Sequence, residues 1–216
     1  MTKPLLIAID GPSASGKGTL AKKIAANFNL PYLNTGALYR LIAYRALQQK
    51  IDLQNFETHL ESLTKNIRED ELENDDLFSE EVGAAASTIA KNQNLRRKIF
   101  DFQRNFAVDG VAQKGGAVLD GRDTTTVICP DATHKFYVTA DVEIRAKRRF
   151  EQLKKQEKDV SLDEILSQLK QRDENDSNRK DSPLLIAKDA VIIDNSNLSI
   201  EEGFAKIIKI IKNERN

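Results

Sequence analysis

The sequence predicts an α/β protein built around a parallel sheet. Three observations near the N-terminus point there: a continuous apolar run, Leu5-Leu6-Ile7-Ala8-Ile9, a glycine-rich turn directly after it, and an amphipathic helix directly after the turn. An apolar run without polar alternation suits a strand buried on both faces, as inner strands of parallel sheets are, so this run is taken as the first and central strand. In the helix that follows, Leu20, Ile24 and Phe28 recur at i, i+4 and i+8 and share one face. Pro31-Tyr32-Leu33 reads as a short second strand, and Thr35-Gly36 opens a second helix carrying Leu38, Leu41, Ile42 and Leu47. Strand, loop, helix and strand in that order suggest a βαβ unit.

From about Asp52 to Glu81 the chain is acidic and weakly patterned, above all from Arg68 to Asp76, and reads as an insertion with a solvated surface. Helix is expected to resume at Val82 and run to about Phe106. Gly115-Gly116 then leads into a strand, Ala117-Val118-Leu119, that ends at Asp120. Lys135 to Ala140 reads as another strand. Asp141 is expected to cap the helix after it, and Ser161 the next one, where Glu164 completes a capping box. Arg172 to Ser182 is almost wholly polar and reads as a lid or a linker. Ala190 to Asp194 is the last strand. Ser199 to Lys212 is the last helix, with Phe204, Ile207, Ile208 and Ile211 on one face.

Composition narrows the function. With 216 residues, 40% apolar and 31% charged, the chain has the balance of one main globular domain rather than a disordered or membrane protein. Lys+Arg and Asp+Glu number 33 each, so no overall field draws nucleic acid or an anionic bilayer. The N-terminal apolar run is stopped by Asp10, too short to export or to span a membrane, and a cytoplasmic location is expected. Cys129 is the single cysteine and reads as a buried packing residue. The only histidines, His59 and His134, give a zinc-dependent or histidine-base mechanism little material.

The chemistry starts at Gly11-Pro12-Ser13-Ala14-Ser15-Gly16-Lys17, a Gly-x-x-x-x-Gly-Lys pattern. Its glycines let backbone N–H groups approach phosphate oxygens, the helix N-terminus adds partial positive charge, and Lys17 would reach the β- and γ-phosphates. Spacing alone arises by chance in about one chain of this length in fifteen. Context decides, because the pattern lies between a buried strand and an amphipathic helix, where its mechanism requires it. The residue after Lys17 is Gly18, and the hydroxyl that would meet Mg2+ is displaced to Thr19.

A phosphate loop of this kind serves GTPases, motor ATPases and small-molecule kinases. The Asn-Lys-x-Asp and Asp-x-x-Gly segments of a GTPase are missing. Present instead are single arginines beside turns and acids: Arg40, Arg96, Arg122 within Asp120-Gly121-Arg122-Asp123, Arg145 with Arg148 and Arg149, and Arg172 with Arg179. Arginine grips phosphate with a planar fork that stays charged, and an Asp-Gly-Arg-Asp at a strand's carboxyl end lies at the crevice where α/β sheets bind ligands. A kinase whose acceptor is itself a phosphate needs such cations to bring two anions together. A phosphate monoester is already ionised at neutral pH and attacks without a general base, in keeping with the scarcity of histidine.

At these residues the sequence resembles the bacterial cytidylate (CMP/dCMP) kinase family. The resemblance runs nearly end to end: Ile9-Asp10-Gly11-Pro12 into Lys17-Gly18-Thr19, Asn34-Thr35-Gly36-Ala37-Leu38-Tyr39-Arg40, Asp120-Gly121-Arg122-Asp123 with Val127 and Pro130-Asp131-Ala132, then Arg172-Asp173 through Asn178-Arg179 and Pro183-Leu184. It implies a P-loop kinase fold, a five-stranded parallel sheet flanked by helices, as a single domain over residues 1–216. In that division the core is 1–50, 107–171 and 183–216, a short acceptor-binding insertion covers about 51–106, and a lid covers about 172–182.

By resemblance, Gly11, Pro12, Ser13, Ala14, Ser15, Gly16, Lys17, Gly18 and Thr19 hold ATP, with Arg148 as a further donor-phosphate contact and Mg2+ near Thr19. Thr35 and Arg40 sit against the acceptor nucleotide, with Arg40, Arg122 and Arg179 on its phosphate. Ser87, Arg96 and Asp123 meet cytosine, and Arg172 and Asp176 the ribose hydroxyls. Lys17, Arg122, Arg172 and Arg179 are the implied catalytic set. The implied reaction passes the γ-phosphoryl of ATP to CMP or dCMP; a kinase for UMP or AMP, or a non-catalytic ATP-binding switch, is the alternative. A monomer is expected, with no nucleic-acid or membrane partner. Three departures stand out: the insertion is shorter than the family's, Thr124-Thr125 replaces a hydrophobic-glycine pair, and Asn175 and Ser177 stand where arginines are usual.

Overall fold

The computed structural model describes residues 4–155 and 160–215. β1 (Leu5–Asp10) is buried at every position, as its unbroken apolar run requires. It leads through the phosphate-binding loop into α1 (Lys17–Phe28), then β2 (Tyr32–Asn34) and α2 (Thr35–Gln48). Two short helices, α3 (Leu60–Thr64) and α4 (Glu80–Ile89), are set among 3-10 turns at Phe56–His59, Glu69–Glu73 and Asp75–Phe78. The long α5 (Gln93–Lys114), β3 (Gly116–Gly121) and a π-type turn, Thr124–Ile128, precede β4 (His134–Thr139). The chain ends with α6 (Val142–Lys154), α7 (Leu162–Asn178), β5 (Val191–Asp194) and α8 (Ile200–Arg215).

The five strands lie in the order β2-β3-β1-β4-β5, which puts the first strand at the centre as the sequence predicts. β1 runs parallel to β3, with Ile7 opposite Val118, and parallel to β4, with Ile7 opposite His134. β4 and β5 are parallel as well. Two neighbours with different carboxyl-end loops leave β1 ending at a switch of strand order, where open α/β sheets bind ligands.

The contacts divide the chain into two compact units, Met1–Tyr32 with Ala107–Asn216, and Leu33–Phe106. The first holds the main core, where Ile7, Ile9, Val118, Phe136, Val138 and Ile193 meet Leu20 and Ile24 of α1 and Ile207 and Ile211 of α8. A smaller cluster, Ala146, Leu153, Ile165 and Leu169, joins α6 to α7. In the second unit, Phe56, Leu63, Leu72, Leu77, Val82 and Ile89 are buried. Arg45 fastens its irregular stretch: Nη1 donates to the carbonyls of Leu63 and Lys65 at 2.9 Å each, and Nη2 pairs with Glu71 at 2.8 Å.

Two local expectations need correction, and one polar stretch is more ordered than its composition suggests. The helix expected from Val82 to Phe106 is two helices broken at residues 90–92, because the Asn92 side chain accepts the N–H of Leu95 at 2.9 Å and starts α5 anew. Asp141 does not cap α6 with its carboxylate; its own N–H donates to Ser196 Oγ at 2.9 Å. The polar stretch from Arg172 is helical as far as Asn178, continuing α7. Its acids are held by buried arginines, Asp173 by Arg145 at 2.6 Å and Asp176 by Arg122 at 2.7 Å, and these tertiary pairs outweigh a weak local preference. The capping box forms as expected, with Ser161 Oγ accepting from Glu164 N at 3.1 Å and the Glu164 carboxylate accepting from Ser161 N at 3.3 Å. Cys129 is buried.

Candidate active site

The larger unit builds the phosphate loop between the end of β1 and the start of α1. Gly11 takes φ +152°, and a Cβ there would fall 2.0 Å from the carbonyl oxygen of Val138, so only glycine lets the loop pass β4 this closely. Lys17 is nearly buried, and its Nζ donates to the Pro12 carbonyl at 3.3 Å. Burial lowers its pKa from 10.5 to about 7; Arg122 and Arg172 push the same way, while Asp120 and Asp176 oppose them. Asp120, at the end of β3, is buried and accepts the Tyr32 hydroxyl at 2.7 Å. Burial raises its carboxyl above the ordinary value despite the neighbouring Lys17. Ser15 Oγ is buried with no partner among the described residues, and Thr19 is exposed at the first turn of α1.

Next to this loop the unit gathers the predicted arginines. Arg122 Nε donates to Asp176 Oδ2 at 2.7 Å. Arg179 approaches Asp176 at 3.9 Å and Asp123 at 4.0 Å, both from largely buried side chains. Burial alone would raise the Asp176 carboxyl, but Arg122, Arg172 and Arg179 together hold it below the ordinary range. Thus Lys17, Arg122, Arg172, Asp176, Arg179 and Asp123 form one charged network. Arg148 lies elsewhere in the unit, donating from Nη2 to the carbonyls of Asn195 at 2.6 Å and Leu198 at 3.3 Å, so its visible task is to hold the turn after β5.

The smaller unit carries the remaining predicted residues. Thr35 is buried at the start of α2, where the Asn34 side chain caps the helix by accepting from Ala37 N at 3.2 Å. Arg40, one turn on, donates from Nη1 to the carbonyls of Leu77 at 2.7 Å and Ser79 at 3.3 Å, with its guanidinium 5.5 Å from the Phe78 ring. Arg96 is buried on α5, where its Nε donates to the Ala90 carbonyl at 2.7 Å and its guanidinium lies 5.3 Å from the Tyr39 ring. Ser87 is half-buried on α4.

A family model described as "Cytidylate kinase" matches residues 7–213. The chain belongs to the cytidylate kinase family. Similar relatives include a cytidylate kinase of Bartonella tribocorum, 47% identical over 203 residues and covering 94% of this chain and 92% of that one. One from Bartonella henselae is 47% identical over 212 residues, covering 97% and 95%. One from Azorhizobium caulinodans is 43% identical over 212 residues, covering 98% and 100%. Among solved structures, an uncharacterized protein from Eubacterium ventriosum shares the fold with TM-score 0.54 at 16% identity, covering 96% of this chain and 98% of that one.

Thr124 and Thr125, directly after Asp120-Gly121-Arg122-Asp123, meet a buried carboxylate. Asp10, fully buried at the end of β1, accepts the N–H of Thr124 at 2.9 Å, the N–H of Thr125 at 2.7 Å and the hydroxyl of Thr125 at 2.6 Å. The turn directly after Arg122-Asp123 is therefore tied to the strand that feeds the phosphate loop.

Proposed function

We propose that the chain transfers the γ-phosphoryl group of ATP to CMP or dCMP, giving ADP and CDP or dCDP. The observation that carries this reading is the family match over residues 7–213, which includes the phosphate loop and the arginine-bearing segments alike. In the proposed reaction an oxygen of the acceptor monophosphate forms a bond to the γ-phosphorus as the bond to the β-phosphate oxygen breaks. The acceptor is already a dianion near neutral pH, so no residue has to remove a proton. The chain's own task is to bring two anions together and spread the charge that develops.

In this reading the loop from Gly11 to Thr19 binds ATP, and Lys17 reaches the moving phosphoryl. Arg122 and Arg179 bind the acceptor phosphate with Arg40, and Arg172 and Asp176 meet the ribose. Ser87, Arg96 and Asp123 recognise cytosine. The partnerless hydroxyl of Ser15 within the loop supports a ligand there, since buried polar groups ordinarily have partners. The C-terminal turns of α7 and the residues to Ser182 act as a lid that excludes water.

Mg2+ would, when bound with ATP, neutralise part of the charge on its phosphate oxygens. Among the described residues no three His, Cys, Asp or Glu side chains gather as a metal site. In this reading the ion would be held mainly by phosphate and water, near Thr19. No helix among the described residues is long and apolar enough to cross a membrane. We place the protein in the cytoplasm as a monomer acting on small molecules.

The test is ADP release from ATP and Mg2+ with CMP, dCMP, UMP and AMP in parallel. Stimulation by CMP and dCMP alone supports the reading. Equal stimulation by UMP replaces it with a broader pyrimidine kinase, and stimulation by none refutes phosphoryl transfer to these acceptors.

A further inference from the structure

The phosphate-loop motif names the residues that would touch phosphate, but not what turns their peptides the right way. Among the described residues, the side chains of Arg145 and Asn195, both outside the motif, donate hydrogen bonds to the loop's carbonyl oxygens. Arg145, on α6 and nearly buried, donates from Nη1 to the Ser13 carbonyl at 3.1 Å. Asn195, fully buried in the turn after β5, donates from Nδ2 to the Ser15 carbonyl at 3.3 Å. We infer that Arg145 and Asn195 are positioning residues for the donor-phosphate loop, acting through the Ser13 and Ser15 carbonyls to set its N–H groups toward an oligophosphate.

Across a trans peptide the C=O and the next N–H point in opposite directions, and the described residues include no cis peptide. When Arg145 draws the Ser13 carbonyl toward the protein body, the N–H of Ala14 must face the other way. Asn195 does the same for Gly16 through Ser15. The loop does not adopt this shape by local preference alone, because Ala14 sits at φ +59°, a region that a residue with a Cβ enters at a cost.

Both holders are themselves held. Arg145 Nε donates to the Ala140 carbonyl at 2.8 Å and Nη2 to Asp173 at 2.6 Å, so all three donor groups of the guanidinium are occupied and its orientation is fixed. Asn195 N donates to the Thr139 carbonyl at 2.7 Å, and its own carbonyl accepts from Arg148 at 2.6 Å. Arg148 thereby supports the loop at one remove. Lysine cannot replace Arg145, since a single ammonium lacks the fork that spans Ser13, Ala140 and Asp173.

The inference rests on the reading of the loop as an ATP site, and it is tested by binding as well as turnover. Wild type, Arg145→Met, Arg145→Lys and Asn195→Ala are titrated with ATP and Mg2+ by calorimetry, melted without nucleotide, and assayed for KM of ATP and of CMP. Loss of a carbonyl holder is expected to weaken ATP binding about tenfold in Arg145→Met. Asn195→Ala and Arg145→Lys are expected to lose severalfold. The KM of ATP rises in step, and the KM of CMP stays within about twofold. If Arg145→Met fails to fold, Arg145→Lys and Asn195→Ala carry the same readout. Variants that bind ATP as wild type does, whatever their melting temperature, overturn the inference alone. A wild-type protein that binds no ATP overturns the donor-site reading and the inference with it.

Discussion

Arg122 Nε lies 2.7 Å from Asp176 Oδ2, joining the turn after β3 to the last turns of α7 through a pair in which both side chains are largely buried. Removing one partner of such a pair leaves the other charge buried and uncompensated. Asp176→Ala is therefore expected to cost about 3 kcal/mol of stability, measured by urea denaturation, and to raise the KM of CMP. Asp176→Asn, which keeps an acceptor for Arg122, should cost less. The pH dependence has a definite sign. Because the folded Asp176 carboxyl lies below its ordinary value of 3.8, its stabilisation is present above that value and is lost as pH falls through the folded pKa. Wild type should therefore lose more stability than Asp176→Asn on acidification below about pH 4. Equal acid sensitivity in the two proteins would contradict the pairing.

Lys17 has a linkage of the same sign in a higher pH window, where it is the charged form that the fold disfavours. Its folded pKa, about 7, lies below the ordinary 10.5. The unfolded chain therefore binds more protons between these values, and stability without ATP should rise with pH across that window. Lys17→Met removes the group, so it should flatten this rise and abolish phosphoryl transfer in a folded protein. An oligophosphate beside Lys17 favours the charged ammonium, so ATP binding near pH 8 should take up a proton. Calorimetry in buffers of different ionisation enthalpy measures that uptake directly, and it should vanish in Lys17→Met.

The fold was legible where burial leaves a local signature. Leu5 to Ile9 could be placed at the sheet centre because a strand covered on both faces has no polar alternation, and the capping box at Ser161 and Glu164 is written within four residues. The insertion was not legible, because its turns are held by groups far along the chain, such as Arg45 reaching Leu63, Lys65 and Glu71. The same reason hid part of the site. The loop motif announces its glycines and lysine, but Asn195 lies 180 residues from the carbonyl it takes, and no local pattern marks it. Arg145 was visible only as one of several arginines.

Thr125 offers a test of how the turn after Arg122-Asp123 is held. Its hydroxyl donates to the buried Asp10 carboxylate at 2.6 Å, so Thr125→Val removes a donor to a charged acceptor while keeping the side-chain shape. The expected cost is about 2 kcal/mol. Burial already raises the Asp10 pKa above 3.8, so ionising it weakens the fold as pH rises from that value through the folded pKa. With one donor fewer the folded pKa rises further, so the decline above pH 4 should be deeper in Thr125→Val. A denaturation series from pH 4 to 8 measures it, and parallel curves would remove Thr125 from the account of Asp10.

Gly83 lies inside α4, where glycine costs about 1 kcal/mol relative to alanine. Its place is explained by Arg40: a Cβ on Gly83 would stand 3.0 Å from Arg40 Nη2 and 3.2 Å from Nη1, tighter than ordinary contact. Gly83→Ala sets the helix gain against displacement of the guanidinium from the Leu77 and Ser79 carbonyls. The two effects differ in where they appear. Global stability should change by less than about 1 kcal/mol, because the helix gain offsets the crowding. If Arg40 binds the acceptor phosphate, the KM of CMP should rise severalfold while the KM of ATP stays unchanged, a split that a change in fold stability alone would not produce. An unchanged KM for CMP in a stabilised Gly83→Ala protein would mean that the guanidinium moves aside without consequence, and would count against Arg40 as an acceptor-phosphate ligand.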